Sequence, residues 1–271
     1  MTFLPESGQR YDMPPVFGPS PVPNKTVVED ARVLALSFTT DKSIAEPLVP
    51  AFFTVPEDPL VTISHVHYPE VDYLGGRGYN EIVCSISAIA TEGGKTLQAA
   101  FAPILWVNEV GALMAGREYM GLAKLSGVIP DLALSGDGAR YNFSEYDAYL
   151  MSAQTGPLTT LGQDVIDKLN SRAEEVRTFG WKYIPSPELG ADVSYPLVNV
   201  MRWRYQKAWS GTGDIRFFAV DKKAAPFSHQ IIKRLAELPV KGDIRAFMGQ
   251  GTATIDREAT RRLDIRVTTG P

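Results

Sequence analysis

The 271-residue chain has a single cysteine, Cys84, so no disulfide can form within it and no cysteine-based zinc cluster can be built. A reducing, cytoplasmic setting is the expectation. Histidine is nearly as scarce, at three. No uninterrupted run of about 18 apolar residues is present, the length that a membrane-spanning helix needs. The N-terminus carries Pro5 and Glu6 where a signal peptide would carry lysines and an apolar stretch, so neither export nor membrane insertion is expected. An excess of positive charge is missing too: 27 Lys and Arg against 31 Asp and Glu leave a net charge of −4. Such a chain has little with which to neutralise phosphates, and nucleic acid is not an expected partner.

What remains is an ordinary soluble composition, 44% hydrophobic and 21% charged, large enough to bury a sizeable core. The charge is uneven. Residues 201–271 hold 14 basic and 7 acidic residues, and the first 200 are correspondingly acidic. This reads as a solvated basic face, or as a surface for an anionic substrate or a complementary subunit. Ten of the 20 prolines fall in the first 60 residues. Residues 1–25 therefore read as an extended, proline-rich arm, because proline lacks the backbone donor that a helix or an interior strand requires. No repeat or composition break divides the rest, and residues 26–271 are expected to form one domain.

Strand signals dominate that domain. Val33–Phe38 is short and apolar, Leu60–His67 alternates, and residues 80–107 read as a hairpin turning at Gly93-Gly94. Thr40-Asp41 marks a short helix ending near Pro47. Later strands are expected over 197–207, Asp214–Val220 and Gly242–Ile255, with a weaker one over Arg262–Thr269. Val165, Leu169, Ala173 and Val176 follow helical spacing, as do Ile231, Leu235 and Leu238 behind a Ser228 cap. The order lacks regular βαβ alternation, which predicts an α+β fold with a curved or closed, mainly antiparallel sheet.

Several familiar site patterns fail. Gly76-Arg-Gly78 and Gly249-Gln-Gly251 lack the third glycine of a dinucleotide fingerprint and read as turns or bulges. Ser135 lacks the preceding glycine of a nucleophile elbow. His65 and His67 would share one strand face, as a metal pair requires, but no acidic motif completes a site, and a hydrogen-bonded pair is the simpler reading. No metal or cofactor is expected.

One segment is more informative. Gly116-Arg-Glu-Tyr-Met-Gly-Leu-Ala-Lys-Leu-Ser-Gly127 sets a lone lysine, Lys124, among small and apolar residues between glycine-containing turns. By itself this is either a snorkelling surface lysine or a desolvated amine, and desolvation favours the neutral, nucleophilic form. The segment resembles the signature of the acetoacetate decarboxylase-like superfamily, Gly-Arg-Glu followed by Pro-Lys-Lys and a glycine, with Lys124 on the first lysine. Tyr79-Asn-Glu81 resembles that family's Tyr-x-Glu. Ala208-Trp-Ser-Gly211 and Leu238-Pro-Val-Lys241 resemble its Ala-Trp-Thr-Gly and Leu-Pro-Val-Lys, in the same order.

The resemblance implies a cone-like β-barrel with a few peripheral helices, a homo-oligomer, and a buried lysine that forms a Schiff base with a small keto acid. Lys124 takes the nucleophile's place and Glu81 that of the acid/base carboxylate. Arg117 is a candidate to bind the substrate carboxylate, or with Glu118 to form an ion pair holding the loop. Arg32 is the candidate for an arginine near the barrel mouth, and Trp106 and Met120 are candidates to line an apolar pocket, though ordinary packing explains them as well. The sequence departs from the family at two points. Ala123 and Leu125 replace the proline and the second lysine, and the upstream strand reads Thr62-Ile-Ser-His-Val66 with no carboxylate. The function implied is a Schiff-base lyase, either decarboxylating a β-keto acid or carrying out aldolase-dehydratase or hydratase chemistry on a 2-oxo acid. The alternative is a barrel that binds a small molecule without turnover.

Overall fold

A computed structural model describes residues 3–172 and 175–265. Twelve strands dominate it: β1 (Lys25–Thr39), β2 (Leu60–Val71), β3 (Arg77–Glu92), β4 (Lys95–Val107), β5 (Lys124–Ser126), β6 (Ala133–Ser135), β7 (Gly138–Glu145), β8 (Ala148–Thr155), β9 (Thr159–Thr160), β10 (Val176–Pro185), β11 (Ala191–Phe217) and β12 (Lys241–Arg262). Four helices accompany them: α1 (Lys42–Ala45), α2 (Val110–Met120), α3 (Gln163–Arg172) and α4 (His229–Ala236). None is long and apolar enough to cross a membrane. Residues 3–24 contain no strand and only one turn of 3₁₀ helix, Pro15–Phe17, in keeping with their prolines.

The strand pairings run β10-β4-β3-β2-β1-β12-β11, and β11 pairs back with β10, so the hydrogen-bond circuit returns on itself. All of these ladders are antiparallel except β10 with β4, which meet over Thr178–Ala100 and Phe179–Phe101. Strand β11 has two uses. It pairs β12 in the circuit as far as Thr212, and only its last five residues, Gly213–Phe217, leave to pair β8, which continues into β7 and β6. The expected strands over 197–207 and from Asp214 are thus one 27-residue strand. The ladder with β12 is irregular between Tyr205 and Lys207. Gly249 and Gly251 lie opposite that irregularity, and a Cβ on Gly251 would sit 2.0 Å from the Arg204 carbonyl oxygen. Close backbone approach explains Gly251, and the Tyr205 ring, 2.5 Å from where a Cβ would lie, explains Gly249; Gly76, with φ +77°, belongs to a turn.

Period-two alternation divides the strands into two faces. Leu34, Leu36, Ile63, Ile82, Cys84 and Trp106 point outward into the main core, where Tyr141, Phe143 and Met151 of the β7–β8 hairpin and Ile232 and Leu235 of α4 cover them. Tyr68, Tyr79, Val66 and Val83 point inward, with Ala253 and Trp203.

Some elements depart from the sequence pattern. The helical spacing through Val165 stops with α3 at Arg172, and Val176 opens β10, whose ladder with β11 overrides local propensity. Ala173 lies outside the described residues, as do the last residues of the weak strand expected from Arg262; Arg262 itself ends β12. Ser228 precedes α4 but makes no cap bond. Its buried hydroxyl accepts instead from Trp106 Nε1 at 2.9 Å. Segment 110–120, which shows no clear periodicity and contains two glycines, is helical as α2.

Candidate active site

Helix α2 presents the lysine segment. Glu109 caps its start by accepting from the Ala112 amide at 3.0 Å, and Gly121 ends it in the left-handed region at φ +56°. No side chain fits at Gly121, where a Cβ would lie 2.6 Å from the Lys182 backbone nitrogen. The chain then turns tightly, with the Leu122 amide bonded to the Gly116 carbonyl and the Lys124 amide to the Leu122 carbonyl. It enters β5 beside β4, Lys124 opposite Leu105.

Gly116 and Arg117 both act on this lysine. Gly116 sits inside the helix rather than in the expected turn. A Cβ there would fall 2.6 Å from Lys124 Cδ and 3.2 Å from Nζ, so the absent side chain leaves the room that the lysine stem fills. Arg117 donates from Nη1 to the Lys124 carbonyl oxygen at 3.1 Å. Its side chain thus holds the lysine's backbone, and no salt bridge joins it to the half-buried Glu118.

Lys124 is 5% exposed and Glu81, from β3, is 4% exposed. Their contact is 2.6 Å between Nζ and Oε2, and Oε2 has no other hydrogen-bond partner. Nζ also lies 5.6 Å from the centre of the Tyr79 ring. Burial, reinforced by the negative charge of Glu81, pushes the Tyr68 and Tyr79 phenols well above their usual range, so both stay protonated.

Glu81 opens onto an interior cavity of about 260 Å³. Its walls are largely apolar, with Val33, Val66, Val83, Leu105, Met120 and Trp203, and its polar lining includes Thr62, Ser64, Ser85 and Asn199. Thr62 and Ser64 come from the stretch that lacks a carboxylate, so hydroxyl groups stand on that wall, Thr62 Oγ1 lying 2.9 Å from Ser37 Oγ. Glu81 is the one carboxylate among the described residues of the lining.

The other candidate residues divide. Met120 lines the cavity. Trp106 does not: alternation along β4 turns it outward, fully buried against Phe143 with ring centres 4.7 Å apart. Leu125, on the opposite face of β5 from Lys124, packs against that same outer core. Arg32 is exposed on β1, opposite His67 and Gln250, and is not brought to the lysine. His65 and His67 form hydrogen bonds on the outer face, His65 Nε2 with the Pro130 carbonyl at 3.0 Å and His67 Nδ1 with Asn80 Oδ1 at 2.6 Å. Among the described residues no group of three or more His, Cys, Asp and Glu is placed to hold a metal ion. The Cys84 thiol, pushed up to about 12 by burial in the outer core, is inert.

Sequence reading missed Arg257 and Tyr73. The two meet, the Arg257 guanidinium carbon 5.3 Å from the Tyr73 ring centre, and Arg257 donates to the Pro23 carbonyl and Thr26 Oγ1. The period-two spacing of Ala253, Ile255 and Arg257 was the available signal for the arginine; for Tyr73, in a turn, there was none.

No curated protein sequence matches the chain at a significant level. Three solved structures show its fold. An acetoacetate decarboxylase aligns with a TM-score of 0.74 and 15% identity, over 94% of this chain and 95% of the other. An acetoacetate decarboxylase-like enzyme from Sphingomonas wittichii RW1 aligns with a TM-score of 0.65 and 20% identity, over 92% and 96%. The enduracididine biosynthesis enzyme MppR, complexed with pyruvate, aligns with a TM-score of 0.63 and 15% identity, over 90% and 92%. The sequence profile of the acetoacetate decarboxylase (ADC) family matches residues 12–260, nearly the whole chain with both halves of the lysine–glutamate pair, and the protein therefore belongs to that family.

Proposed function

We propose that the protein is an enzyme that forms a Schiff base between Lys124 and a small keto acid. The observation that carries this reading is the 2.6 Å contact between Lys124 Nζ and Glu81 Oε2, both buried, Glu81 lining the interior cavity and Lys124 bordering a separate cleft with Arg117, Leu125 and Glu145. A lysine can attack a carbonyl only after giving up its proton, and Glu81 is placed to accept it. The amine nitrogen then bonds to the keto carbon, the carbonyl oxygen leaves as water, and a protonated imine remains. That imine withdraws electrons from the adjacent carbon whatever group departs. A β-keto acid would lose carbon dioxide, its C–C bonding pair passing into the enamine. A 2-oxo acid would lose a C3 proton to Glu81, and the resulting enamine would add to an aldehyde. Water returns in either case to release the product and free Lys124.

The keto acid class is supported by a pyruvate-bound relative of this fold. The second acidic group is absent from the cavity wall, where Thr62 and Ser64 stand, and Leu125 faces away; both features leave decarboxylation and aldol-type chemistry as outcomes of one intermediate. The closed circuit of strand pairings supports the cone-like barrel as the frame of the cavity.

The test is borohydride reduction in the presence of pyruvate or acetoacetate, followed by peptide mass spectrometry. An adduct on Lys124 is expected, lost in Lys124→Met and formed about 10²- to 10⁴-fold more slowly in Glu81→Gln. Carbon dioxide release then separates the two chemistries. Absence of an adduct from Lys124 with every oxo acid, at neutral and alkaline pH, would overturn the reading and favour a barrel that binds without turnover.

A further inference from the structure

The cavity onto which Glu81 opens has two unlike walls. One carries hydroxyl groups. Thr62 and Ser85 line it in register across β2 and β3, and Ser37 of β1 continues the row, its Oγ 2.9 Å from Thr62 Oγ1. Ser64, the next inward residue of β2, stands in the register row of Val83, Leu105 and Lys124 across β3, β4 and β5. The Thr62 and Ser85 row lies two residues further along the strands, about 7 Å away. Thr178 adds a hydroxyl from β10.

The other wall is aromatic. Strand β11 is three strands from β2 one way round the circuit and four the other, so its inward side chains face the hydroxyl wall across the cavity. Trp203 and Tyr205 line it there with stacked rings, centres 5.6 Å apart and planes within 15°. Burial pushes the Tyr205 phenol up to about 12, so its hydroxyl keeps a proton to donate. Ser64, Thr178 and Tyr205 are half-buried, and among the described residues their hydroxyls meet no hydrogen-bond partner. At about 260 Å³ the cavity equals the liquid volume of roughly eight waters, about 30 Å³ each, which is more than a pyruvate-sized acid fills.

We propose that the carbon chain extending from the reacting carbonyl is polyhydroxylated, so that the substrate is a sugar-derived oxo acid, with Ser64, Thr178 and Tyr205 as specificity-determining contacts. C–H groups on the aromatic wall and O–H groups on the hydroxyl wall are the two surfaces that such a chain offers. An alkyl or aryl chain would instead strip water from three hydroxyls and leave them unbonded, which is where discrimination against it arises. The proposal rests on the Schiff-base reading only for the place of the carbonyl.

Its test uses D-gluconate and hexanoate, six-carbon acids without a ketone that differ only in hydroxyl groups. Titration calorimetry of the intact chain is expected to give gluconate an affinity at least about 10-fold the higher. Ser64→Ala and the isosteric Tyr205→Phe should each weaken gluconate about 3- to 10-fold and leave hexanoate unweakened. The proposal is overturned if gluconate binds no better than hexanoate, failure to detect either included, or if both variants leave the preference intact. In borohydride trapping, 2-oxo-3-deoxygluconate should label Lys124 in preference to 2-oxohexanoate. Equal labelling by the two overturns the proposal and leaves the Schiff base standing, whereas gluconate preference without any adduct overturns the Schiff base and leaves the polyol site standing.

Discussion

The outward and inward faces of β1–β4 are made by the same strands and carry opposite chemistry. Outward, Leu34, Ile63, Ile82 and Trp106 are covered by the β7–β8 hairpin and α4 and belong to the largest buried cluster. Inward, Thr62, Ser64, Glu81 and Ser85 place hydroxyls and one carboxylate around an incompletely filled space. Closest packing is where stability comes from, whereas the amine proposed to react needs room beside it. The fold separates the two demands by strand alternation, one residue apart.

Breaking the outer face should cost stability and spare the chemistry. Phe143 is fully buried against Trp106, and Phe143→Ala is expected to lower unfolding free energy by about 3–5 kcal/mol, measured by denaturant titration. Adduct formation at Lys124, assayed well below the unfolding midpoint, should be unchanged; a parallel loss would show that the faces are not independent.

The inner face should show the reverse with Gly116→Ala. Alanine is favoured over glycine inside a helix by about 1 kcal/mol, so helix propensity predicts no loss. The new Cβ would however fall 2.6 Å from Lys124 Cδ and displace the amine. Misplacement of a reacting group by about 1 Å can cost about 10²-fold. A fall of about 10- to 100-fold in the trapping rate, with stability held or reduced by less than about 1 kcal/mol, is the expected pair of measurements.

The smallest effect sharpens the comparison from the outer side. Burial holds the His65 imidazole below its ordinary 6.5, opposed by its bond to the Pro130 carbonyl and by Asp131, and helped by the neighbouring His67. The unfolded chain therefore takes up a proton first as pH falls. The stability that His65 contributes is fully present above about pH 6.5 and is lost as pH drops through the lower folded value. Parent and His65→Gln unfolding curves should converge over that window, and an unchanged difference between pH 7.5 and 5 would assign the shift to another group.

Much of the site was legible because it follows from short-range rules. The Gly-Arg-Glu segment, the lone lysine among apolar residues and the alternation around Glu81 are all local patterns, and the Lys124–Glu81 pair follows from them once β3 and β5 both flank β4. Trp106 was open to either a pocket or ordinary packing because a sequence gives alternation without saying which face is which, whereas Arg32 was a candidate through the family resemblance alone. One register step separates Leu105, on the cavity, from Trp106, in the outer core. Helix α2 is not legible because Gly111 and Gly116 suppress propensity, and both glycines make room for side chains from outside the helix: Leu74 lies 2.6 Å from a Cβ at Gly111, and the lysine stem meets Gly116.

The sequence by itself determined which residue types were available: one lysine with apolar flanks, strands of period two, no disulfide and a proline-bound arm. These are properties of neighbours along the chain, where sterics and solvation act directly. Only the tertiary structure decided that the strand circuit returns through β10 and β11, which face holds the cavity, and that Lys124 and Glu81, from separate strands, meet at 2.6 Å. Long-range pairing depends on the summed burial of whole strands, and no local window contains that sum.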